Sequence, residues 1–467
     1  MRSFEFFLNR SDTCKKLNNN NGLLNNSISD VSVDIAKSVF SEYLKNKFPK
    51  DILDMHFNGE IHLDDLGNWG ICPDTIFIDI ENILEKGIGL DNQFPYLPQI
   101  LNLNDIGSVL PLLISLFQMQ VSKEIVIENI TKLFNSFSSS DSISSTFANA
   151  LFTCSFSIRS LDFHSITIAL SLQDNEDVLL SILNVVAKIT IMGGNVSFSR
   201  KFIRSSTGII KIKEGDSSPV ISLHSLSLNL PYLAYQSNKD ETYFRTKLAL
   251  LLKPSLNAMI LRRDMIFDNI LKGLLPALSN PLKFPKSGST SMLINLTGLN
   301  ESIFNILGYA NKIEEGTEIL QKAIKTANDV ISHLDKKNYE YFGISIINDA
   351  SSKRFARLDS EKFGKLSHTF DSYSQGVIIT KQDLNRENSL AQNLLVLDDL
   401  LTGGFSVKLD TTSLKLDDLV DCLSRSIDFI PYFDLFNKQV ICNICGTRIL
   451  ANGTCVMCRS NNILTFT

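Results

Sequence analysis

Residues 442–458 read CNICGTRILANGTCVMC, and the spacing of their cysteines decides the fold at the carboxyl-terminal end of the chain. The pattern is C-x2-C-x9-C-x2-C, with Gly446 and Gly453 bordering the central segment. Each CxxC pair forms a knuckle that offers two thiolates to one tetrahedral ion, and a short hairpin between the knuckles brings the pairs together. The spacing predicts a zinc (Zn2+) ribbon over residues 439–467. Its ligands are Cys442, Cys445, Cys455 and Cys458.

Coordination by four thiolates predicts a structural role for this zinc. No position is left open for water or substrate, so the ion is expected to hold the tail together rather than to perform chemistry. An iron–sulfur cluster also takes four thiolates, but its common spacings differ from this one. A ribbon that binds nucleic acid is a further alternative, for which this segment offers only Arg448 and Arg459 and no aromatic pair.

Composition indicates a globular protein. Of 467 residues, 44% are hydrophobic, and 45 Lys+Arg nearly balance 50 Asp+Glu, so no global field favours nucleic acid or an anionic membrane. The longest apolar run, residues 106–121, contains Pro111 and is shorter than the roughly 20 residues that span a bilayer. The amino-terminal sequence has no secretory pattern, and CxxC pairs are typical of a reducing compartment. We therefore expect a cytoplasmic protein without a membrane partner.

Helix-type and strand-type patterns alternate upstream of the ribbon without Pro- or Gly-rich linkers, which favours one large α/β domain over residues 30–438. Asparagines dominate residues 17–28, so residues 1–29 are predicted to be a mobile segment. Apolar periodicity predicts helices over 31–55, 242–275 and 315–334, and strands over 151–172, 209–213, 221–230 and 291–296.

Six segments in this region, followed by the ribbon, resemble the anaerobic (class III) ribonucleoside-triphosphate reductases of the glycyl radical enzyme superfamily. Their order along the chain is the order found in that family. The segments are DMHFNGEIHLDDL (54–66), SLNLPY (227–232), INLTGLNE (294–301), KRFARLD (353–359), DSYSQG (371–376) and QNLLVLDDLLTGG (392–404).

The resemblance implies a ten-stranded glycyl-radical-enzyme-type β/α barrel, made of two antiparallel five-stranded halves and surrounded by helices. Members of the family bind ribonucleoside triphosphates, usually dimerise, and receive a glycyl radical from an iron–sulfur activating enzyme. The family has a phosphate-binding turn where this chain has Tyr373, Ser374, Gln375 and Gly376. A plain loop is the alternative for this turn.

The radical positions implied by the resemblance depart from the family pattern. Ser199 stands before an arginine where the family has its finger cysteine, and Thr75 stands where it has a cysteine near the first strand. Cys72 lies three residues before Thr75 and becomes the candidate thiol if the register slips. His62 matches the first histidine of the family's HIHDL segment, and Asp64 replaces the second. A hydroxyl cannot replace the thiol because an O–H bond is much stronger than an S–H bond.

The glycyl loop of the family, an RxxGY segment, follows the ribbon. Residues 459–467 read RSNNILTFT and contain no glycine. We therefore expect a pseudoenzyme that is retained for nucleotide binding, for a homodimer, for a heterodimer with an intact reductase, or for docking on a macromolecular assembly.

Two alternatives remain open at the level of sequence. An active reductase could receive its radical in trans, and Cys72 would then have to supply the thiol. A nucleic-acid or ribonucleoprotein-binding protein could use the ribbon together with a basic face, for which the candidates are Arg262, Arg263, Lys353, Arg354 and Arg357. Binding to nucleic acid would weaken steeply with added salt.

Overall fold

A computed structural model describes residues 28–79, 110–128, 165–170, 176–191, 196–200, 221–278, 290–308, 313–338, 341–364, 370–379 and 394–466, with short gaps inside 110–128 and 394–466. The segment predicted to be mobile lies outside these residues, apart from its last two positions, which belong to the first helix. The strand predicted at 209–213 also lies outside them.

Helices and strands alternate along the described chain, as the sequence predicts for an α/β fold. The helices are α1 (Ile28–Lys47), α2 (Lys50–Phe57), α3 (Glu176–Ile191), α4 (Leu230–Ser237), α5 (Glu241–Leu271), α6 (Leu299–Leu307), α7 (Ile313–Asn338), α8 (Ser351–Phe363) and α9 (Leu416–Phe429). The predicted helices over 242–275 and 315–334 correspond to α5 and α7, and α5 continues through Pro254.

The strands form one large sheet and one small sheet. Those of the large sheet are β1 (Ile61–Leu63), β2 (Thr75–Asp79), β3 (Glu124–Glu128), β4 (Ser165–Leu170), β5 (Val196–Arg200), β6 (Ile221–Leu223), β7 (Leu226–Asn229), β8 (Thr290–Thr297), β9 (Tyr341–Ile346), β10 (Val377–Ile379), β11 (Gly404–Phe405), β12 (Val407–Asp410) and β13 (Tyr432–Phe436). The small sheet contains β14 (Gln439–Cys442), β15 (Arg448–Ile449) and β16 (Ile463–Phe466).

Two groups of parallel strands run in opposite directions in the large sheet. Strands β2, β3, β4 and β5 pair in parallel, and this group joins the rest through antiparallel pairs of β2 with β6 and β5 with β13. In the second group, β8 pairs in parallel with β6, β7 and β9, while β12 pairs in parallel with β10 and β13. Strand β11 pairs with β9, and only Ser406 separates it from β12.

The two faces of the large sheet differ in chemistry, because successive strand residues alternate between them. One face carries apolar residues that belong to the main hydrophobic core. Examples are Ile76, Ile125, Ile221, Met292, Ile294 and Leu296. On the other face Thr75 pairs in register with Glu124 and Ser222, and Ser222 pairs with Ser291. These four polar residues are fully buried. The sheet therefore buries a polar face as well as an apolar one.

No helix in the described part of the chain is both long and apolar enough to cross a membrane.

Candidate functional site

The structure brings the four ribbon cysteines together. Strand β14 delivers Cys442, whose Sγ lies 3.4 Å from Sγ of Cys458, and Sγ of Cys445 lies 3.5 Å from Sγ of Cys455. All four sulfur atoms lie within 4.8 Å of one another. A main-chain hydrogen bond from Arg459 to the Cys455 carbonyl closes the second knuckle. The four thiols could hold one metal ion, and this donor set is compatible with zinc.

A second polar cluster, the interior network, lies near the ends of several strands of the large sheet. It consists of two hydrogen-bonded sets that adjoin where His62 of β1 pairs in register with Ser227 of β7. The first set is His62, Asp64 and Lys123, and the second is Ser227, Asn295, Asp349 and Gln375. These residues come from β1 and the turn after it, the turn before β3, strands β7 and β8, the loop after β9, and the turn before β10. The large sheet thus gathers side chains that are far apart in the sequence.

Asp349 is the hub of this network. Its Oδ1 accepts hydrogen bonds from Nε2 of Gln375 at 2.7 Å and from the main-chain N–H of Ser351 at 2.8 Å. Its Oδ2 accepts from Nδ2 of Asn295 at 3.0 Å and from the hydroxyl of Ser227. Asn295 also donates to the carbonyl of Ile347 and accepts from its N–H, so the loop that carries Asp349 is fixed to strand β8.

Lys123 and Asp64 form an ion pair at one side of the network. The ammonium group of Lys123 donates to Oδ2 of Asp64, and Nε2 of His62 lies 3.3 Å from Oδ1. Burial alone would raise the pKa of Asp64, but the charge of Lys123 and the contact with His62 hold it well below its usual value. Burial alone would lower the pKa of Lys123, but the charges of Asp64, Asp74 and Asp349 raise it above its usual value. Both groups are therefore charged at neutral pH.

Asp74 and Arg262 form a second ion pair, which is wholly buried. Nη1 and Nη2 of Arg262 donate to the two carboxylate oxygens at 2.6 and 2.7 Å. Asp74 also accepts from the main-chain N–H groups of His224 and Ser225 and from the hydroxyls of Ser225 and Ser122. The Nε group of Arg262 donates to the carbonyl of Trp69, over whose ring the guanidinium lies. This pair fastens α5 to the residues before β2.

Carboxylates of the protein hold the turn at residues 373–376. The hydroxyl of Tyr373 donates to Asp359 at 2.9 Å. The main-chain N–H and the hydroxyl of Ser374 donate to Glu301 at 2.9 and 2.7 Å. Gly376 has φ +58°, and a Cβ there would lie 2.6 Å from the carbonyl oxygen of Ser406. These contacts fix the turn against the first turn of α6 and against α8.

Comparison with known proteins identifies the family of this chain. The family model described as anaerobic ribonucleoside-triphosphate reductase matches residues 125–467. The chain belongs to this family. The anaerobic ribonucleoside-triphosphate reductase of Haemophilus influenzae is 24% identical over 245 residues, which cover 48% of this chain and 34% of that protein. The match thus covers only about a third of that relative's length.

Solved anaerobic ribonucleotide reductases share the fold. The Thermotoga maritima enzyme with dATP bound in its specificity site superposes with a TM-score of 0.68 at 15% identity, covering 100% of this chain and 98% of that one. The complex of the same enzyme with dATP and CTP gives 0.65 at 14% identity, covering 94% and 90%. At these identities the likeness shows the fold alone.

The positions that the reductase family resemblance assigns to thiols lie in different environments. Thr75 is on the buried polar face, where its Oγ1 lies 2.9 Å from Nε2 of His224 and 3.4 Å from Oε2 of Glu124. Burial lowers the pKa of His224 to about 4. Ser199 lies in β5, in register with Ala169 of β4 and Tyr432 of β13.

Cys72, the alternative thiol, belongs to the hydrophobic core. Burial, together with the charge of Asp74, raises the pKa of its thiol to about 12. Among the described residues, Cys72 and Cys422 are the cysteines outside the ribbon, and both are buried. Neither is a member of the interior network.

Several residues of the site have no signal in the sequence. Lys123 and Asp349 are ordinary charged residues beside strands, and their partners are distant in the sequence. One sequence pattern did point to the site. Polar and apolar residues alternate at the end of TSMLINLT (290–297), which places Asn295 and Thr297 on the strand face opposite Ile294 and Leu296. The predicted turn residue Gln375 does join the network, together with His62 and Asp64.

Proposed function

We propose that this member of the anaerobic ribonucleoside-triphosphate reductase family binds a nucleotide at the interior network and performs no radical chemistry of its own. The main supporting observation is that the buried polar face of the large sheet contains polar side-chain atoms without hydrogen-bond partners in the described structure. Ser222 Oγ, Ser291 Oγ and His224 Nδ1 on or beside this face, and Nδ1 of His62 in the network, are buried without a protein hydrogen-bond partner in the described structure. Because these atoms have almost no accessible area, a ligand rich in hydroxyl and carbonyl groups, such as a ribonucleoside, would satisfy them once the side chains around them move apart.

The relatives support nucleotide binding. The Thermotoga maritima structures contain dATP and CTP, and this chain shares their fold. We further propose the ten-stranded barrel of the family. In this barrel, β11 and β12 would close the sheet. They are nearly continuous in the chain, and β11 pairs with β9 while β12 pairs with β13. Such a closed sheet would place the buried polar face on the inside.

The environment of the thiol positions supports the absence of radical turnover. Thr75 offers a hydroxyl on the polar face, and Cys72 lies in the hydrophobic core and is not a member of the interior network. A hydroxyl is a poor hydrogen donor to a carbon radical because its O–H bond is much stronger than an S–H bond. We further propose that the ribbon zinc is structural and that the chain forms a homodimer or a heterodimer with an intact reductase.

Calorimetric titration of the zinc-loaded protein with ATP, CTP, dATP and dCTP tests the binding. We expect saturable binding near the micromolar range for at least one of them. Gln375→Ala removes the donor Nε2, which Thr297, Asp349 and Ser351 share, and the acceptor Oε1, which takes the main-chain N–H of Asp349. It should weaken that binding about tenfold or more. Asn184→Ala, which removes a surface amide bond on α3, is the matched control and should leave binding unchanged. Absence of binding to every nucleotide at millimolar concentration would refute the proposal.

A turnover assay tests the second half of the proposal. Under anaerobic conditions, with an iron–sulfur activating enzyme and a reductant, we expect no conversion of ribonucleotide to deoxyribonucleotide. Product formation that disappears in Cys72→Ser would instead establish a reductase that obtains its radical in trans.

A further inference from the structure

We propose that Lys123 contacts the bound ligand through its ammonium group and that Asp64 positions it, so that the pair selects a neutral hydroxyl or carbonyl oxygen rather than a phosphate. This inference rests on the proposed nucleotide binding and names a residue that determines its specificity. The pair stands where the resemblance implies a histidine at position 64, so it is a feature of this chain's own sequence.

The donors of Lys123 are incompletely used. An ammonium group has three N–H donors, and within the described structure one of them goes to Asp64. The side chain is 17% exposed, and that of Asp64 is 16% exposed, so little of either group meets solvent. A cation that is held on one side by a carboxylate, with donors left over, is suited to receive an oxygen atom of a ligand.

Other cations near this site lack that freedom. Arg262 uses its guanidinium on Asp74 and on the carbonyl of Trp69. Arg354 donates to the main-chain carbonyls of His56 and Ile61, which fastens α8 to α2 and β1. Of these three cations, Lys123 is the one that belongs to the interior network, where it forms an ion pair with Asp64.

The surroundings of Lys123 disfavour a phosphate. Asp64 is in direct contact with it, and the charges of Asp74 and Asp349 act on it as well. A phosphate at Lys123 would add its charge to those of Asp64 and Asp349, while the charge of Asp74 is already paired with Arg262, and like charges repel strongly in a buried site. A hydroxyl or carbonyl oxygen adds no charge and accepts the same hydrogen bond. The geometry therefore matches the sugar or the base of a nucleotide.

The test compares nucleosides with triphosphates. The double variant Lys123→Met/Asp64→Asn removes both charges of the pair, so that no buried charge is left without a partner. Its matched control is Lys45→Met/Glu42→Gln, which removes an exposed lysine–carboxylate pair on α1. Binding of adenosine, ATP, cytidine and CTP is measured by calorimetry, and thermal unfolding establishes that each variant is folded.

We expect the double variant to bind the nucleoside and its triphosphate each about tenfold or more weakly, by factors that agree within about twofold. The control should bind like the wild type. A loss confined to the triphosphates would show that Lys123 contacts phosphate and would overturn the inference. Unchanged binding of both the nucleoside and its triphosphate would show that the Lys123–Asp64 pair makes no contact with the ligand, and would also overturn the inference.

Two further results keep the test decisive. If the double variant does not fold, Lys123→Arg keeps the charge opposite Asp64 but changes the donor geometry, and it should weaken the nucleoside and the triphosphate in the same proportion. If the wild type binds none of these four probes and neither dATP nor dCTP, the proposed function fails, and this inference fails with it. That result differs from a bound wild type whose variants are unaffected, which contradicts the inference alone.

Discussion

The ribbon and the interior network are both clusters of polar side chains, but they are completed in opposite ways. The ribbon takes its four thiols from residues 442–458, and within the described chain these sulfur atoms converge on one another. The network takes its groups from six segments of the chain, and hydrogen bonds join distant segments within each of its two sets. The four ribbon thiols could hold one metal ion, whereas the network needs the whole fold to exist. A local cluster can be read from spacing, and a distributed one cannot.

The largest effect is expected at the ribbon. Cys455→Ser removes one of the four thiolates of a site that, when complete, binds zinc with on the order of 10 kcal/mol, so bound zinc should fall from about one ion per chain to nearly none. Elemental analysis of the purified protein measures this. The matched control is Cys422→Ser, which changes a buried cysteine of α9 and should retain the metal. Loss of zinc in the control as well would mean that the metal depends on the whole fold.

The next effect concerns the buried pair of Asp74 and Arg262, whose side chains are each 1% exposed. Arg262→Met leaves the carboxylate buried without its cation, so unfolding free energy should fall by about 3–5 kcal/mol, measured by urea denaturation. The double variant with Asp74→Asn should recover part of this loss. A loss below about 1 kcal/mol in the single variant would mean that water reaches the pair.

A smaller effect is expected at the pair that forms part of the network. Lys123→Met should lower the unfolding free energy by about 1–3 kcal/mol, less than Arg262→Met. Fewer hydrogen bonds are lost, and the side chains of Lys123 and Asp64 are 17% and 16% exposed, against 1% for Arg262 and Asp74. Urea denaturation of both variants under one condition gives the order directly. A larger loss for Lys123→Met than for Arg262→Met would contradict the view that the Asp74–Arg262 pair stabilises the fold while the Asp64–Lys123 pair binds a ligand.

The smallest expected effect is a pH dependence of the unfolding free energy, caused by Asp359, which accepts a hydrogen bond from Tyr373 of the turn at residues 373–376. Burial raises the pKa of Asp359 to about 6, although hydrogen bonds from Tyr373 and Asn229 oppose the rise. A carboxyl whose folded pKa is raised contributes stability that is present below its unfolded pKa and is lost as pH rises through about 6. Between pH 7.5 and 5 the wild type should therefore gain about 1–2 kcal/mol relative to Asp359→Asn.

The comparison with Asp359→Asn is needed because two histidines act in the opposite direction. Burial lowers the pKa of His56 to about 3 and that of His224 to about 4, so both cost stability as pH falls below about 6.5. Their contribution is the same in both proteins and cancels in the difference. A difference that stays constant from pH 7.5 to 5 would contradict the raised pKa of Asp359.

The same contrast explains how far the sequence could lead. The C-x2-C-x9-C-x2-C spacing was enough to place four thiols together, and the family motifs named His62, Asp64 and Gln375. Lys123 lies 59 positions from Asp64, and Arg262 lies 188 positions from Asp74, so neither pair could be inferred from spacing. Strand register decides which distant residues meet, and register depends on the complete sheet.

Hydrogen–deuterium exchange of the zinc-loaded protein with and without CTP or ATP tests the central claim most directly. If a nucleotide binds at the interior network, protection should appear in residues 61–64, 122–124, 226–229, 347–349 and 373–376, while exchange in the ribbon stays unchanged. Protection confined to other segments, or no protection by either nucleotide at saturating concentration, would contradict the account.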